Sequence, residues 1–440
     1  MVTRRELGLG LLGLCGGCEP ASPRGPLLLR DFRLVDVAAR QVRRGDVLLA
    51  GDHVVAPNAV KPVTTIEGAG RFLLPALWDL KASLWGNDAA YDYDVLAQEM
   101  NITPAAQVQL YYGVAHVATF GMARSWAGRE VKRADALELL AAEVLFPDCA
   151  LGASATFASS PVTDEASLER ELSSRVQHGS PFVQLCYGAL PAEYLPSVSL
   201  SLLGRALSRA RALGLRSMVL VDDWARAEEA MMAGATLLYG LPEGPVPRPF
   251  VEQLRARGVA FAPALTRYFE LDRLLGNASA LAEPFLLPPV VPAVLDSFRD
   301  PKRLWPGWRK QLDRGRRIKD DSLTTVRALA EAGVPLLAAS DAGFSAGTFQ
   351  GYSSHATQSW LERAGIPAWT RLAAATVEPA AAFGRRVGFE PGQGADFVAL
   401  DADPLERAES LRRIALVVRR GQVVDRQALL PDLTRNSYKP

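Results

Sequence analysis

The chain has 440 residues, of which 49% are hydrophobic and 22% are charged, and its formal net charge at pH 7 is +1. This composition excludes an intrinsically disordered chain, and the balanced charge gives no general attraction to nucleic acid or to anionic membranes. The length suits one large domain with a small accessory domain. The sequence contains no basic helix, zinc-finger spacing or aromatic RNA-binding motif, so we expect no nucleic-acid partner.

The first 18 residues resemble a bacterial export signal. Arg4 and Arg5, similar to the pair in a twin-arginine signal, precede an apolar run at residues 7–14. The run is too short to cross a hydrocarbon core of roughly 30 Å, but it suits a signal peptide. It leads to Cys18, in a setting that resembles the lipobox of lipoproteins. We expect an exported protein, either periplasmic or anchored to a membrane by a lipid on Cys18. Cleavage at another position is the alternative.

Short β-strands are predicted near both ends of the chain, because apolar residues there alternate with polar ones between turn residues. The stretches with this pattern lie at residues 27–34, 46–55, 63–66, 396–401, 414–418 and 421–424. Strands at opposite ends of a chain often form one domain around an inserted one. We therefore expect a composite β-sandwich built from residues 27–74 and 388–430.

Between residues 75 and 387, apolar stretches alternate with amphipathic ones. The apolar stretches predicted as strands lie at residues 72–80, 113–120, 144–151, 181–187, 216–222, 235–239, 259–264 and 334–339. Helical spacing of apolar residues is clearest at Ser201–Leu213, Trp224–Ala233 and Leu323–Ala332. Eight such units predict a (β/α)8 TIM barrel. An open, doubly wound sheet is the alternative, although no glycine-rich nucleotide motif supports it.

Two cysteines lie in the predicted barrel, Cys149 and Cys186. A disulfide between them is chemically feasible in an oxidising compartment, and the sequence does not decide whether it forms. The simpler expectation is that both are small buried hydrophobic residues. The CxxC of Cys15 and Cys18 falls in the export segment, where a redox or zinc role is not expected.

Six segments of the sequence resemble, in order, motifs of the amidohydrolase superfamily. They are FLLPALWDLKASL at 72–84, GVAHVATFG at 113–121, VPLLAASDAG at 334–343, LAAATVEPAAAFG at 372–384, and the segments at 387–400 and 414–425. In the family, the first of these carries the pattern D-x-HxH on the first barrel strand, and the third ends the eighth strand with an aspartate. The chain is therefore identified as a divergent member, similar to imidazolonepropionase-like and prolidase-like proteins.

The resemblance implies a centre of one or two divalent metal ions at the carboxyl ends of the barrel strands. The family's ligands are the HxH of the first strand, a carboxylated lysine or glutamate on the fourth, histidines on the fifth and sixth, and the aspartate of the eighth. Imidazole and carboxylate ligands suit zinc. The metal activates a water molecule, and the eighth-strand aspartate takes its proton and passes it to the leaving group.

This sequence departs from nearly all of those ligand positions. The residues at or near them are Lys81 and Ser83 for HxH, Gln184 on strand four, Leu220 or Asp222 on strand five, Tyr239 or Gly240 on strand six, and Asp341 on strand eight. Only Asp341 keeps the family's residue type. A lysine ammonium repels a divalent cation, and serine is a poor zinc ligand. We expect no cofactor. Zinc or another divalent metal is expected only if these positions are assigned wrongly.

The candidate site residues follow from the same alignment. Candidate catalytic residues are Asp341 as acid or base, with Lys81, His355 and Asp222, and candidate substrate contacts are Gln184 and Tyr239. Each has a simpler interpretation. Asp341 is alternatively a structural carboxylate paired with Lys81, and His355 either lines the barrel mouth or begins a helix. His116, in an apolar strand, is expected to be a core residue.

Three functions remain open at this point. The first is a hydrolase of carbon–nitrogen bonds by descent, a pseudoenzyme-like member with a degenerate metal centre and weak or absent hydrolysis; its active version is a rebuilt, metal-free site with Asp341 as base and Lys81 or His355 as an electrostatic helper. The second is a non-catalytic exported protein that binds a small molecule or a partner at the barrel mouth. The third keeps one weakly held metal through Asp79, Asp222 and Asp341. The sequence indicates neither the ligand nor the oligomeric state, and membrane contact is expected only through the lipid anchor.

Overall fold

The computed structural model describes residues 25–84, 102–120, 140–155, 159–188, 196–290, 292–300, 302, 304 and 307–430. The predicted export segment, with Cys18, lies outside these residues. No helix within them is both long enough and apolar enough to cross a membrane.

The strands of the described residues are numbered in chain order. They are β1 (Leu27–Asp36), β2 (Gln41–Ala50), β3 (His53–Val55), β4 (Thr64–Glu67), β5 (Phe72–Pro75), β6 (Leu77–Ala82), β7 (Val114–Thr119), β8 (Glu143–Leu145), β9 (Ala150–Gly152), β10 (Ser159–Pro161), β11 (Phe182–Cys186), β12 (Arg216–Val221), β13 (Leu237–Gly240), β14 (Ala260–Pro263), β15 (Phe397–Leu400), β16 (Ile414–Arg419) and β17 (Gln422–Val423).

The α-helices are numbered in the same way. They are α1 (Ile102–Tyr111), α2 (Glu165–Gln177), α3 (Leu200–Ala212), α4 (Trp224–Met232), α5 (Arg248–Arg257), α6 (Leu265–Gly276), α7 (Pro292–Arg299), α8 (Trp308–Glu331), α9 (Tyr352–Arg363), α10 (Ala368–Ala375) and α11 (Val377–Ala382).

Strands from both ends of the chain lie in one eight-stranded sheet. Its order is β17-β16-β15-β5-β1-β2-β3, and β4 pairs with β1. The two ends of the chain meet where β5 pairs antiparallel with β15. Along β1, Leu29 and Phe32 are both buried although they are three residues apart, because the register shifts between them and Asp31 adopts a φ of 60°. Such a bulge restores the two-residue alternation that keeps apolar side chains on one face.

The remaining strands pair in parallel, in the orders β6-β7-β8 and β10-β9-β11-β12-β13-β14. The whole of β7 and of β11 is buried, as is typical of parallel strands covered on both faces. Helices follow several of these strands, so the fold is mixed α/β. The helices begin where the sequence provides caps. The side chains of Ser199 and Asp223 accept hydrogen bonds from the backbone at the starts of α3 and α4.

The segment predicted as the eighth strand, residues 334–339, has no regular strand pairing, yet it connects the two sets of parallel strands. On one side the Phe261 amide of β14 donates to the Pro335 carbonyl at 2.9 Å. On the other, the Leu80 amide of β6 donates to the Ala338 carbonyl at 3.0 Å. The segment makes an isolated bridge and not a continuous ladder of hydrogen bonds, so it is not a regular strand. Two residues beyond the segment, Asp341 reaches the end of β6, where the Asp341 amide donates to the Lys81 carbonyl at 2.8 Å.

The predicted helices are found with small shifts. Ser201–Leu213 and Trp224–Ala233 correspond to α3 and α4, each within a residue at either end. Leu323–Ala332 is the last part of the much longer α8, whose first turns are polar enough to hide the helical pattern. The two cysteines of the parallel-strand region, Cys149 and Cys186, are not joined by a disulfide.

Candidate active site

Lys81, Tyr239 and Asp341 meet at the carboxyl ends of the parallel strands and are buried from solvent. Lys81 Nζ donates to Asp341 Oδ1, and Tyr239 Oη donates to the same oxygen at 2.9 Å. Ser345 Oγ donates to the other carboxylate oxygen, Oδ2, at 2.7 Å. Arg267 Nε lies 3.6 Å from Oδ2. Asp341 is therefore surrounded by donors and by two cationic side chains.

The ammonium group of Lys81 also lies in a cage of aromatic rings. Its Nζ is 4.2 Å from the ring centroid of Phe120, 4.5 Å from that of Phe344 and 4.9 Å from that of Tyr239. The negative faces of aromatic rings attract a cation within about 6 Å. The rings therefore stabilise the ammonium group in place of the water that burial removes.

The charges of this cluster follow from its burial and its pairs. Burial lowers the pKa of Lys81 to about 8, against the opposing effect of Asp341. Burial raises the pKa of Asp341, but the charges of Lys81 and Arg267 outweigh it and leave the pKa below its usual value. Burial and the Asp341 charge hold the pKa of Tyr239 well above 10. At neutral pH the cluster is an ammonium–carboxylate pair with a neutral tyrosine as a further donor.

The backbone at Asp341 is unusual, because its φ is 59°, which residues other than glycine rarely adopt. The residues on both sides of it are constrained. Asp79 accepts hydrogen bonds from the Ser340 amide and hydroxyl and from the Ser354 hydroxyl, which fixes the residue before Asp341. At Gly343 a Cβ atom would lie 2.2 Å from the Ser83 carbonyl oxygen. Asp79 is thus a buried residue that positions Ser340. The strained φ of Asp341 persists because the surrounding contacts hold it, as is common at functional sites.

Several buried polar atoms near these strand ends have no hydrogen-bond partner among the described residues. They are the hydroxyl oxygens of Ser83 and Thr119 and the amide oxygen of Gln184. The Gln184 amide nitrogen donates to the Thr119 carbonyl at 3.0 Å, which turns its oxygen away from that contact. Buried polar atoms are normally hydrogen-bonded, so these unpaired atoms are candidate positions for a bound water or ligand.

The residues present do not fit the divalent metal that the family resemblance implies. Within the described ranges, no three His, Cys, Asp or Glu side chains lie close enough to hold a metal ion. The site offers Lys81, Ser83, Gln184 and Tyr239 beside Asp341, and the only carboxylate among them is already bound to an ammonium group. Zinc sites need three or more nitrogen, sulfur or carboxylate ligands. The cluster is therefore not suited to hold a divalent metal ion.

Asp222 lies apart from the cluster, just beyond the end of β12. Its Oδ1 has no hydrogen-bond partner in the described part of the chain, and Arg226 Nη1 is 3.7 Å away. The carbonyl oxygen of Asp222 accepts from Arg314 at 3.5 Å. Asp222 is therefore placed at the same end of the strands but contacts neither Lys81 nor Asp341.

His355 lies within α9 and is fully buried. Its Nε2 is 2.8 Å from the Tyr112 carbonyl oxygen, and its ring packs edge-on against Phe285 at 5.0 Å. Burial lowers its pKa to about 3, so the ring is neutral at physiological pH. His355 therefore lies within a helix and packs against Tyr112 and Phe285. It does not contact Lys81 or Asp341.

His116 lies at the other end of the parallel strands, between two carboxylates. Its Nδ1 is 2.8 Å from Glu143 and its Nε2 is 3.0 Å from Asp396, and its ring stacks on Trp78 at 4.2 Å. Asp396 immediately precedes β15 of the mixed sheet. His116 is therefore a buried, fully paired residue that joins the parallel strands to the sheet formed by the chain ends.

Sequence reasoning missed four members of the cluster: Arg267, Ser345, Phe120 and Phe344. Each follows the end of a strand or strand-like segment by one to six residues. The only signal available was this position, since residues just beyond the carboxyl ends of parallel strands commonly build the site. Neither arginine nor phenylalanine belongs to the ligand pattern of the family.

Comparison with known proteins places this geometry in context. The model of the amidohydrolase family matches residues 305–424. No curated protein matches the sequence. The structural neighbours include phenylurea hydrolase B, with a TM-score of 0.72, 17% identity, and coverage of 92% of this chain and 97% of that one.

Two further neighbours are similar to the same degree. A Xaa-Pro dipeptidase has a TM-score of 0.70 and 15% identity, with coverage of 91% of this chain and 99% of its own. A Bifidobacterium longum protein assigned as a prolidase has a TM-score of 0.69 and 16% identity, with coverage of 92% and 98%. Identities this low show a shared fold. The matched segment 305–424 includes Asp341, the residue at the centre of the cluster.

Proposed function

Because the chain is a member of the amidohydrolase superfamily, we propose that it descends from hydrolases of carbon–nitrogen bonds and has exchanged its metal for an internal ammonium group. The observation that carries the proposal is the contact of Lys81 Nζ with Asp341 inside a ring of three aromatic side chains. In this state the protein binds a ligand at the strand ends, and hydrolysis is weak or absent.

The chemistry of the cluster supports this reading. A metal ion activates water by lowering the pKa of a water molecule that it binds directly. An ammonium group has no empty orbital to bind water and supplies only charge and hydrogen bonds. Asp341 is also a poor base here, because Lys81, Tyr239 and Ser345 already donate to its oxygens. General acid–base help alone contributes roughly 10²–10⁴-fold, which is small for an amide bond.

We further propose that the parallel strands close into a (β/α)8 barrel. The hydrogen bonds of residues 335–341 to β14 on one side and to β6 on the other support closure at that seam. Residues 75–387 would form the barrel, and 27–74 with 388–430 the β-sandwich. In a barrel of this kind the functional site lies at the carboxyl ends of the strands, where Lys81 and Asp341 meet.

We also propose that the chain is exported and lipidated at Cys18, on the sequence pattern of its first 18 residues. Phase partitioning in a cloud-point detergent tests it. The full chain expressed in a bacterium should enter the detergent phase, and the Cys18→Ser variant should stay in the aqueous phase. Recovery of both proteins in the aqueous phase would remove lipidation from the account.

A hydrolysis assay on the purified full chain tests the central proposal. N-acyl amino acids, aryl ureas and carbamates serve as substrates, each measured with and without added zinc. We expect turnover at or close to the uncatalysed rate, with no increase on addition of zinc. Turnover that zinc increases, or that disappears in the Asp341→Asn variant while the protein stays folded, would contradict it. The second result would instead favour a metal-free hydrolase that uses Asp341 as its base.

A further inference from the structure

A cavity of about 570 Å³ lies at the junction between the parallel strands and the sheet formed by the chain ends. Neither Lys81 nor Asp341 lines it, so it is separate from the cluster described above. Cavities of roughly 300–1,000 Å³ are large enough for small organic ligands. Most of its wall is charged, with four arginines and three carboxylates: Arg385, Arg386, Arg419, Arg420, Asp52, Glu143 and Asp396.

Two of the three carboxylates are already bound by arginines. Glu143 accepts hydrogen bonds from both terminal nitrogens of Arg385, and Asp396 accepts two from Arg419 at 3.0 and 3.1 Å. Burial raises the pKa of Glu143 and of Asp396, but these arginines and His116 outweigh it and hold both pKa values well below the usual range. Both carboxylates are therefore ionised, and their charges are compensated within the wall.

Positive charge remains after this pairing. The third carboxylate, Asp52, lies 3.3 Å from Arg420 and 2.6 Å from His53. The side chain of Arg386 is exposed and has no ion pair or hydrogen bond within the residues that the structure describes. Guanidinium groups stay charged at any physiological pH. The four guanidinium groups therefore exceed the carboxylates by one, and this excess favours an anionic ligand.

The backbone at Arg420 is unfavourable for an arginine. Arg420 and Gly421 form the two-residue turn between β16 and β17, with φ angles of 48° and 71°. Turns of this kind need a positive φ at both positions and strongly prefer Asn-Gly. An arginine here gives up that preference and supplies a guanidinium to the cavity. Residues strained in this way cluster at ligand sites.

The two pairs of arginines flank one stretch of backbone. The Gly394 amide donates to the Arg386 carbonyl at 3.4 Å, and the Gly421 amide donates to the Ala395 carbonyl at 2.9 Å. Donors from two separate segments, 385–386 and 419–420, thus line the cavity on either side of residues 394–395. A phosphate group has three terminal acceptor oxygens and can bridge such donors, whereas a carboxylate has two. Guanidinium groups also match phosphate oxygens in pairs.

We propose that this cavity binds a small organic phosphate monoester, with Arg386 and Arg420 as its direct ligands. The site lies apart from Lys81 and Asp341 and does not depend on the function proposed for them. Trp78 lines the same cavity, and its indole N–H has no acceptor in the described part of the chain, so a further donor is unused. At Gly392 and Gly394 a Cβ atom would meet nothing within 4 Å, which leaves room for the carbon skeleton of the ester.

Calorimetric titration of the full chain with glycerol 3-phosphate tests the inference. The ionic strength is held constant with potassium chloride, and glycerol and succinate are titrated in the same way. We expect one phosphate ester bound per chain, no binding of glycerol and weaker binding of succinate. The Arg386→Gln variant should bind the ester at least about ten-fold more weakly, because it loses hydrogen bonds between charged groups.

Two further variants separate a ligand site from general charge and from a structural role. Arg413→Gln makes the same change of charge at an exposed position at the opposite end of β16, and its affinity should stay within about two-fold of the unmodified protein. Arg420→Asn places a preferred residue in the turn and loses only a partly exposed ion pair, so its urea midpoint should not fall while its affinity falls at least about ten-fold.

Three results would overturn the inference. They are the absence of saturable binding of glycerol 3-phosphate, an equal loss of affinity in Arg386→Gln and Arg413→Gln, and binding of succinate as tight as that of the ester. Arg386 is exposed and unpaired within the described residues, so its variant is expected to fold and the titration remains decisive.

Discussion

Replacing Lys81 with methionine is the sharpest test of the ion pair. The substitution keeps an unbranched chain among the aromatic rings but leaves Asp341 as a buried carboxylate without its contacting cation. Removing one partner of a buried pair costs about 3–5 kcal/mol. Tyr239 and Ser345 still donate to Asp341, and Arg267 lies 3.6 Å away, so we expect the lower end of that range, about 3 kcal/mol.

Equilibrium unfolding in urea measures this loss, and a double variant shows its origin. Lys81→Met with Asp341→Leu removes both charges, and replacing a buried pair by apolar residues is often neutral or stabilising. The double variant should therefore recover most of the stability that Lys81→Met loses. Lys319→Met, at an outer helix, serves as the matched control and should change the free energy of unfolding by less than about 0.5 kcal/mol. A double variant less stable than the single one would refute the reasoning.

Three other predictions follow from the same contacts. Tyr239→Phe removes one donor to the charged Asp341 and should lower the free energy of unfolding by about 1.5–3 kcal/mol, measured by urea denaturation. Lys81→His with Ser83→His restores the family's two histidines beside Asp341, so this variant should retain zinc after dialysis, measured by elemental analysis. His355 has its pKa depressed from 6.5 to about 3 by burial, so the unfolded chain binds the extra proton. The His355 contribution to stability should therefore fall by up to about 1.4 kcal/mol per pH unit between pH 6.5 and about 3, measured by unfolding at several pH values, and His355→Phe should flatten this slope.

Much of the fold followed from local patterns that the sequence carries in full. Alternating apolar residues identified the terminal strands, and capped amphipathic stretches identified α3 and α4. Asp341 was placed at the end of its segment because the motif around it is contiguous. The segment 334–339 was predicted as a strand, but its pairing is an isolated bridge to β14 and a single hydrogen bond from β6, which no local pattern encodes.

The candidate site was harder to predict, because its partners come from separate segments. The pairing of Lys81 with Asp341 was open to sequence reasoning, since both fall at strand ends of an alignable motif. The rings of Phe120 and Phe344 and the guanidinium of Arg267 become neighbours only in the folded chain. His355 was a plausible site residue by type, but its helix buries it against Tyr112. Residue type alone did not separate a ligand contact from a buried packing residue.

The metal content of the purified protein tests the central claim most directly. The full chain is purified without chelators, dialysed against zinc and then against buffer, and analysed for bound elements. Because Lys81 neutralises Asp341 where a metal would need it, we predict less than about a tenth of an equivalent of any divalent metal. About half an equivalent or more of tightly held zinc would contradict the account, since the ammonium group and the metal cannot share that carboxylate.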